Sequence, residues 1–200
     1  MNAKYFILLF LLTIVLQTTY GQQRQYLSSD LQLYDLYGPV ASVQLSEYNT
    51  IHFDRQGRLM KKDPEEYIVR DKFGRIIVDD YLWGIGGDGQ YLLEYEYNND
   101  GTIATISTDA WEYYQKEYFF YDPLDKLYMK VVEWSDLLIS GVDVIEYTIL
   151  ETDRHGNWTK RIVDKKSIVT DFEGSGHENG VREKHTTSEI ETRRITYYSE

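Results

Sequence analysis

Short runs in which apolar and polar residues alternate cover most of the chain after residue 50, and polar segments of a few residues separate them. Val, Ile and Tyr dominate these runs, and successive apolar residues often fall two positions apart. A period of two is typical of β-strands that bury one face. We expect no helix in this part of the chain, and only one helical turn near residues 28–33. The clearest strand patterns are 91–97, 103–106, 127–134, 144–150 and 158–163.

A six-residue pattern recurs between these runs: an acid or Asn, two variable residues, Gly, one variable residue and an apolar residue. An Asp or Asn side chain at the first position accepts hydrogen bonds from backbone N–H groups ahead of it. Gly at the fourth position supplies the positive φ that a type I turn closed by a bulge requires. Asp replaces Gly in one copy, where it enters the left-handed region at modest cost. The predicted turn residues are Asp54 and Gly57, Asp71 and Gly74, Asn98 and Gly101, Asp122 and Asp125, and Asp153 and Gly156.

Strands joined by such turns predict an all-β fold, an antiparallel meander of repeated β-hairpins with roughly ten strands. The hairpins form either an open, curled single sheet or a partly closed, barrel-like one. We expect a single domain over residues 22–200, in which 159–198 forms a long hairpin with alternating charges. Such charges suit a sheet edge that must not pair with other molecules.

The first 21 residues have the layout of a secretory signal peptide. Lys4 precedes the apolar run 5–16, and the small residues Thr19 and Gly21 precede Gln22, where we expect cleavage. The run is shorter than the ~20 residues that a membrane-spanning helix needs, which disfavours an uncleaved anchor. Because the chain contains no Cys, a lipoprotein is excluded. The sequence therefore predicts a secreted or periplasmic protein.

Composition excludes several classes of function. The absence of Cys excludes disulfide scaffolds, Cys-ligated zinc and thiol catalysis. A net charge of −12, from 33 acidic and 21 basic residues, argues against a nucleic-acid partner. The four His residues do not have the spacing of metal ligands. Residues 84–89 (GIGGDG) fit a dinucleotide-binding motif, but a strand pattern follows them where that motif needs a helix. We therefore predict no cofactor apart from the Ca²⁺ considered next.

Acidic residues dominate positions 79–112, where Lys and Arg are absent. Asp79, Asp80 and Asp88 are the candidate binding residues in this stretch. Clustered carboxylates bind Ca²⁺ through several oxygens, and a pair of carboxylates hydrolyses glycosides. Acids on alternating strand positions also form a solvated sheet face, and this is the interpretation that we favour.

Trp83, Trp111 and Trp134 each follow a turn acid by twelve or thirteen residues. Equivalent positions in stacked hairpins lie near one another, so we expect an aromatic ladder. The ladder is either part of the core, which we favour because a buried Trp covers a large area, or an exposed platform on which sugar rings stack.

Residues 53–59 (FDRQGRL) resemble the Tyr-Asp repeat of RHS-type proteins, with Phe in place of Tyr. Most of the chain from 34 to 198 resembles small secreted Bacteroidota proteins with such repeats. The similarity includes 36–40 (LYGPV), 153–161 (DRHGNWTKR) and 191–198 (ETRRITYY). This resemblance implies a fold of β-hairpin repeats and no particular activity. It does not imply the toxin-enclosing shell of large RHS proteins, for which this chain is too short.

Two functions are compatible with these residues. The first, which we favour, is an exported, non-enzymatic β-repeat protein with a binding or structural role in the cell envelope, where its partner is an envelope protein or a glycan. The second is a carboxylate-based, glycosidase-like hydrolase or a Ca²⁺-binding module that uses residues 79–112. The two differ in geometry, because a hydrolase needs a pocket in which two carboxylates converge.

Overall fold

The computed structural model describes residues 28–60, 67–82, 90–110, 112–171 and 181–199, most of which are antiparallel strands. No helix in these ranges is long and apolar enough to cross a membrane. The elements are α1 Ser29–Leu33, β1 Val40–Gln44, β2 Thr50–His52, β3 Tyr67–Arg70, β4 Ile76–Leu82, β5 Gln90–Tyr97, β6 Ile103–Ala110, β7 Tyr113–Tyr121, β8 Leu127–Asp136, β9 Ile139–Thr152, β10 Trp158–Asp171, β11 Val181–Thr192 and β12 Arg194–Tyr197.

Nine strands, β3 to β11, form one antiparallel meander in which each strand pairs with its neighbours in chain order. Within the described ranges β3 and β11 are its two edges, so this sheet is open. The predicted all-β antiparallel meander is confirmed. The structure adds a second antiparallel sheet in the order β12-β1-β2. This small sheet pairs strands from opposite ends of the chain, which no local pattern in the sequence indicates.

The five predicted turns share one backbone geometry. In each, the N–H of the fourth residue donates to the carbonyl of the first, and the N–H of the first donates to the carbonyl of the fifth, over 2.8–3.0 Å. The positive φ predicted at the fourth position is confirmed: it lies between 76° and 91° at the four glycines and is 59° at Asp125. Because a meander alternates its turns between two ends, the turns at 71–76, 98–103, 122–127 and 153–158 share one end of the large sheet.

Residues 28–39, which we call the strap, run along this row of turns and are anchored at their start by Asp30. The side chain of Asp30 is fully buried. Its carboxylate forms a bidentate ion pair with Arg70, with Nη1–Oδ1 and Nη2–Oδ2 distances of 2.7 and 2.6 Å. It also accepts the backbone N–H of Leu59 at 2.8 Å. The hydrogen bond to Asp30 raises the pKa of Arg70. Asp30 thus ties α1 to the turns at 54–59 and 71–76.

The other end of the strap binds the remaining part of the row. The backbone N–H of Tyr37 donates to Oδ1 of Asn157 at 2.6 Å, and its carbonyl accepts from Nδ2 of Asn157 at 2.9 Å. The hydroxyl of Tyr37 donates to the carbonyl of Asp125 at 3.0 Å. Between the two anchors, Leu33 packs in the same cluster as Ile103. The strap is therefore hydrogen-bonded to four of the five turns and packs on the apolar cluster that includes Ile103, the last residue of the fifth.

Two apolar clusters lie on either side of the strap. One fills the space between α1 and the small sheet and contains Leu31, Leu36, Val40, Val43 and Phe53. The other lies on the face of the large sheet that the strap covers and contains Ile76, Tyr95, Ile103 and Ile106. We call this covered face the inner face and the opposite one the outer face. Leu59 packs against both clusters and joins the two sheets.

The charged C-terminal segment is divided between the two sheets. β10 and β11 pair from Lys160 opposite Thr192 to Thr170 opposite Val181, as a long hairpin. The chain then leaves the large sheet at the buried residue Arg193 and continues as β12 in the small sheet. The structure therefore ends the hairpin at Thr192 rather than at the expected residue 198.

Two glycine substitutions distinguish two losses of stability. One comes from placing a side chain at a positive φ, and the other comes from crowding the strap. A Cβ at Gly101 meets no atom within 4 Å, whereas a Cβ at Gly57 would lie 2.7 Å from Cδ1 of Leu31 in the strap. We expect Gly101→Ala to lower the free energy of unfolding by ~1–2 kcal/mol, because of its positive φ. Gly57→Ala should cost ~1–3 kcal/mol more, because Leu31 must also move.

Urea denaturation of the two variants beside the unmodified protein measures both losses. Equal losses would contradict the close packing of the strap on the turn at 54–59.

Candidate functional site

A cavity of about 500 Å³ lies between the strap, the small sheet and the inner face of β7 to β11. Apolar, aromatic and charged residues together form its wall. The lining residues are Leu33, Tyr34, Asp35, Leu45, Phe119, Leu127, Lys130, Tyr147, Trp158, Arg161, Ile190, Glu191, Thr192 and Arg193.

Alternating aromatic and guanidinium groups form a stack in the wall of this cavity. The guanidinium carbon of Arg161 lies 4.0 Å from the ring centres of both Tyr147 and Trp158. Arg193 lies 3.8 Å from the ring centre of Trp158. Cation–π contacts of this kind are stronger where water is excluded, and the buried Trp158 ring is such a place. The stack fixes two positive charges beside the cavity.

Arg193 is held by backbone carbonyls on two elements. Its Nε donates to the carbonyl of Trp158 at 2.7 Å and its Nη2 to the carbonyl of Asp35 at 2.8 Å, while Nη1 donates to the carbonyl of Tyr34. Burial lowers the pKa of Arg193 to about 9, with nearby Asp35 opposing and Arg161 adding to the shift. Arg193 therefore joins the strap to β10 while remaining a buried cation.

The two other cations of the cavity each contact a carboxylate. Nε and Nη2 of Arg161 contact Oε2 of Glu191 at 2.7 and 2.6 Å. Nζ of Lys130 contacts Oε2 of Glu117 at 2.6 Å. Burial is the largest single effect and lowers the pKa of Lys130, but the charge of Glu117, its hydrogen bond and the nearby Tyr147 together raise that pKa above its usual value. Both side chains are thus held in place, with one carboxylate oxygen each as the anchor.

The indole of Trp158 carries an unsatisfied donor. Its Nε1 is out of contact with solvent and has no hydrogen-bond partner in the described part of the chain. Such a donor costs free energy, which the stacking of two guanidinium groups on the ring offsets in part.

The sequence patterns did not indicate this site. Strict alternation along β10 would place Trp158 and Arg161 on opposite faces of the sheet. The pairing of β9 and β10 shifts register between Trp158 and Arg161, which brings both side chains to the same cavity. A bulge of this kind depends on the partner strand, so period-two reasoning alone misses it.

The binding residues predicted from the sequence fall elsewhere. Asp79 pairs with Leu93 in β5, and Trp134 pairs with Gln115 in β7. Through these pairings the two lie in one row on the inner face, four strands apart, which corresponds to about 19 Å. Only the backbone of Asp80 is described, in β4. Asp88, Trp83 and Trp111 lie outside the described residues, so the aromatic ladder stays a prediction.

Trp134 is half-buried rather than freely exposed. Its ring lies against the backbone of Gly141, where a Cβ would approach Cζ2 to 2.4 Å. It borders two shallow grooves of about 310 and 390 Å³ near the end of the sheet that is far from the turn row. This ring therefore packs on its own sheet with part of its edge accessible.

The described acids of residues 79–112 do not converge. Asp79 is on the inner face, whereas Glu94 and Glu96 are exposed on the outer face, because β5 alternates around the buried Tyr95. Oε2 of Glu96 accepts the hydroxyl of Thr105 at 2.7 Å. Among the side chains that the structure describes, no group of three His, Asp or Glu is arranged to hold a metal ion.

Comparison with known proteins gives no relative. No protein-family model, curated protein or solved structure matches this chain.

The buried Arg193 and the exposed Arg194 next to it offer a test of the cavity wall. Arg193→Met leaves three buried carbonyls without their donor, so we expect it to lower the free energy of unfolding by about 2–4 kcal/mol. Arg194→Met removes the same charge from an exposed position and should change it by less than ~0.5 kcal/mol. Chemical denaturation measures both, and similar losses would contradict the structural role of Arg193.

Proposed function

We propose that this chain is an exported, non-enzymatic binding protein of the cell envelope and that the cavity beneath the strap is its ligand site. The single observation that carries this proposal is the cavity itself. A volume of about 500 Å³ with apolar, aromatic and charged walls is in the usual range for sites that bind small molecules or the end of a polymer.

The rigidity of the cavity wall supports a binding role. Arg161 is held between two aromatic rings and by Glu191, and Arg193 is held by three carbonyls. Side chains whose positions are set before binding lose little conformational freedom when a ligand arrives. The repeated turns have a structural role, because they hold the strap that closes one side of the cavity.

The acids of the cavity favour binding over hydrolysis. Glycosidases use two carboxyl groups on opposite sides of the bond that is cleaved, one as an acid and one as a base or nucleophile. Here Glu191 is engaged by Arg161, and Asp35 is buried in the strap beside Arg193. The described lining thus supports recognition by shape, stacking and charge.

Two leucines of equal exposure provide a matched test. Leu45 borders the cavity and Leu92 lies on the outer face of β5, and both are 37% exposed. Leu45→Trp should fill the mouth of the cavity, whereas Leu92→Trp adds the same ring at a distance. Each variant and the unmodified protein would be incubated with envelope extract, repurified and analysed by native mass spectrometry for bound small molecules or glycan fragments.

We expect the unmodified protein and Leu92→Trp to carry the same added mass and Leu45→Trp to lose it. The absence of added mass from all three proteins, or its retention by Leu45→Trp, would contradict the assignment of the cavity as the ligand site.

A further inference from the structure

The outer face of the large sheet is uncovered in the described ranges, since the strap and the small sheet lie on the inner side. It nevertheless carries exposed apolar side chains. Tyr114, Phe120, Val142 and Ile168, on β7, β9 and β10, are 38–42% exposed. Three of them, Tyr114, Val142 and Ile168, line a shallow, mainly apolar groove of about 310 Å³. A sheet face that meets only water normally carries polar residues, so this pattern indicates a partner.

Half-buried apolar residues connect the exposed ones across the middle of this face. Tyr118 on β7 pairs with Val131 on β8, and Val131 pairs with Val144 on β9. Residues that lie opposite each other in an antiparallel pair point to the same face, so these three side chains are neighbours on the outer face. We call them the apolar centre. A partner that covers the outer face would remove their remaining exposed surface from water.

A row of cross-strand pairs beside the apolar centre begins and ends with opposite charges. Its members, in order from β5 to β11, are Glu94, Ser107, Lys116, Glu133, Val142, Ile168 and Lys184. Glu94 and Lys184 are both exposed, and neither forms an ion pair within the described part of the chain. The lysines on the outer face of β10, in contrast, each contact a glutamate of β9. The row therefore has one unpaired acid and one unpaired base at its two ends.

These charges are complementary to a second copy of the same face. When two outer faces stack about a two-fold axis that follows β8, the strand order reverses, so β5 lies over β11 and Glu94 over Lys184 of the second copy. A two-fold axis across the strands would instead place Glu94 over Glu94. The axis along β8 also brings Val131 against its own copy. Glu133 meets its copy near this axis, and Lys116, its cross-strand neighbour, offsets that repulsion.

The outer face is large enough for a stable dimer. The five strands β6 to β10 span about 24 Å across the sheet and, over eight residues, about 27 Å along the strands. Such a face covers about 650 Å² on each copy and about 1,300 Å² in total, which is within the usual size of a specific interface. Stacked sheets lie about 10 Å apart with strand directions within about 30° of each other, an offset that long Glu and Lys side chains span.

We propose that this chain forms a two-fold symmetric dimer through the outer face of its large sheet. The apolar centre lies in the middle of the interface, and Glu94 of each copy pairs with Lys184 of the other on both sides of it. The cavity beneath the strap lies on the inner face and stays accessible in such a dimer. The dimer is therefore independent of the function proposed for that cavity.

A charge swap tests the pairing of Glu94 with Lys184. Sedimentation velocity from about 1 to 100 µM measures the Kd of the dimer. Glu94→Lys and Lys184→Glu each place like charges opposite each other and should each raise the Kd about tenfold. The variant that carries both changes restores the pairing and should return to within about twofold of the unmodified protein. Within one copy the two residues lie six strand spacings, about 29 Å, apart, so this recovery reports a contact between copies.

Matched variants separate the interface from net charge. Glu189 is exposed on the inner side of β11, where it pairs with the buried Val163, and Arg194 is exposed on β12. Glu189→Lys and Arg194→Glu make the same changes in charge as the two reversals and should leave the Kd within about twofold. Val142→Lys introduces a charge beside the apolar centre and should raise the Kd at least about tenfold. Thermal melts recorded beside these measurements identify any variant that is not folded.

Three results would overturn the dimer as proposed. The first is an unmodified protein that remains monomeric at about 100 µM. The second is a dimer whose Kd does not change in Val142→Lys, because the contact would then lie elsewhere on the molecule. The third is a dimer in which the single charge reversals have no effect, or in which the double variant is as weak as the single ones, because Glu94 and Lys184 would then not face each other.

Discussion

The docking of the strap on the row of turns is the interaction on which the rest of this structure depends. A nine-stranded meander has one face that must be covered, and nothing in the repeated hairpins themselves covers it. Residues 28–39 cover the end of that face by hydrogen bonding to the turns at 54–59, 71–76, 122–127 and 153–158. The buried ion pair between Asp30 and Arg70 secures one end of the strap, and the paired hydrogen bonds between Tyr37 and Asn157 secure the other.

The free-energy cost of burying the carboxylate of Asp30 explains why the strap binds the turns in one register. A buried carboxylate is unfavourable unless its oxygens are satisfied, and both oxygens of Asp30 are used by Arg70, with one also accepting the N–H of Leu59. The strap therefore has one register along the turns. That register places Tyr34 and Asp35 where their carbonyls receive the guanidinium of Arg193. The cavity between strap and sheet is thus a consequence of strap docking.

The parts of the fold that local chemistry determines could be predicted from the sequence. Asp122 and Asp125 define a turn within six residues, so the pattern of acid and left-handed residue identifies it without any distant partner. The parts that were missed depend on contacts between distant residues. Tyr37 and Asn157 are 120 positions apart, and Arg193 and Tyr34 are 159 positions apart. Such pairs leave no periodic signal, and the small sheet joins the two ends of the chain for the same reason.

The candidate site also combines residues that a local pattern indicates with residues that only distant contacts bring together. The sequence predicts Trp134 and Asp79 as binding residues because they belong to an aromatic series and an acidic run. The register of the sheet places them four strands apart. No sequence pattern singles out Trp158, and Arg161 lies in the segment 159–198, which predicts only a long hairpin with alternating charges. A bulge in β10 and the distant strap turn these two residues into the wall of a cavity.

Native-state hydrogen exchange tests the central claim most directly, that the strap binds the turns as one cooperative unit. The reporters are the amides of Leu59, Ile76 and Tyr37, whose acceptors are Oδ2 of Asp30, Oγ of Ser29 and Oδ1 of Asn157. We predict that these amides open with one common free energy and lose protection together in Asp30→Asn, while amides in the middle of β10 keep theirs. Retention of protection at Tyr37 when Leu59 loses it would contradict a single docked strap.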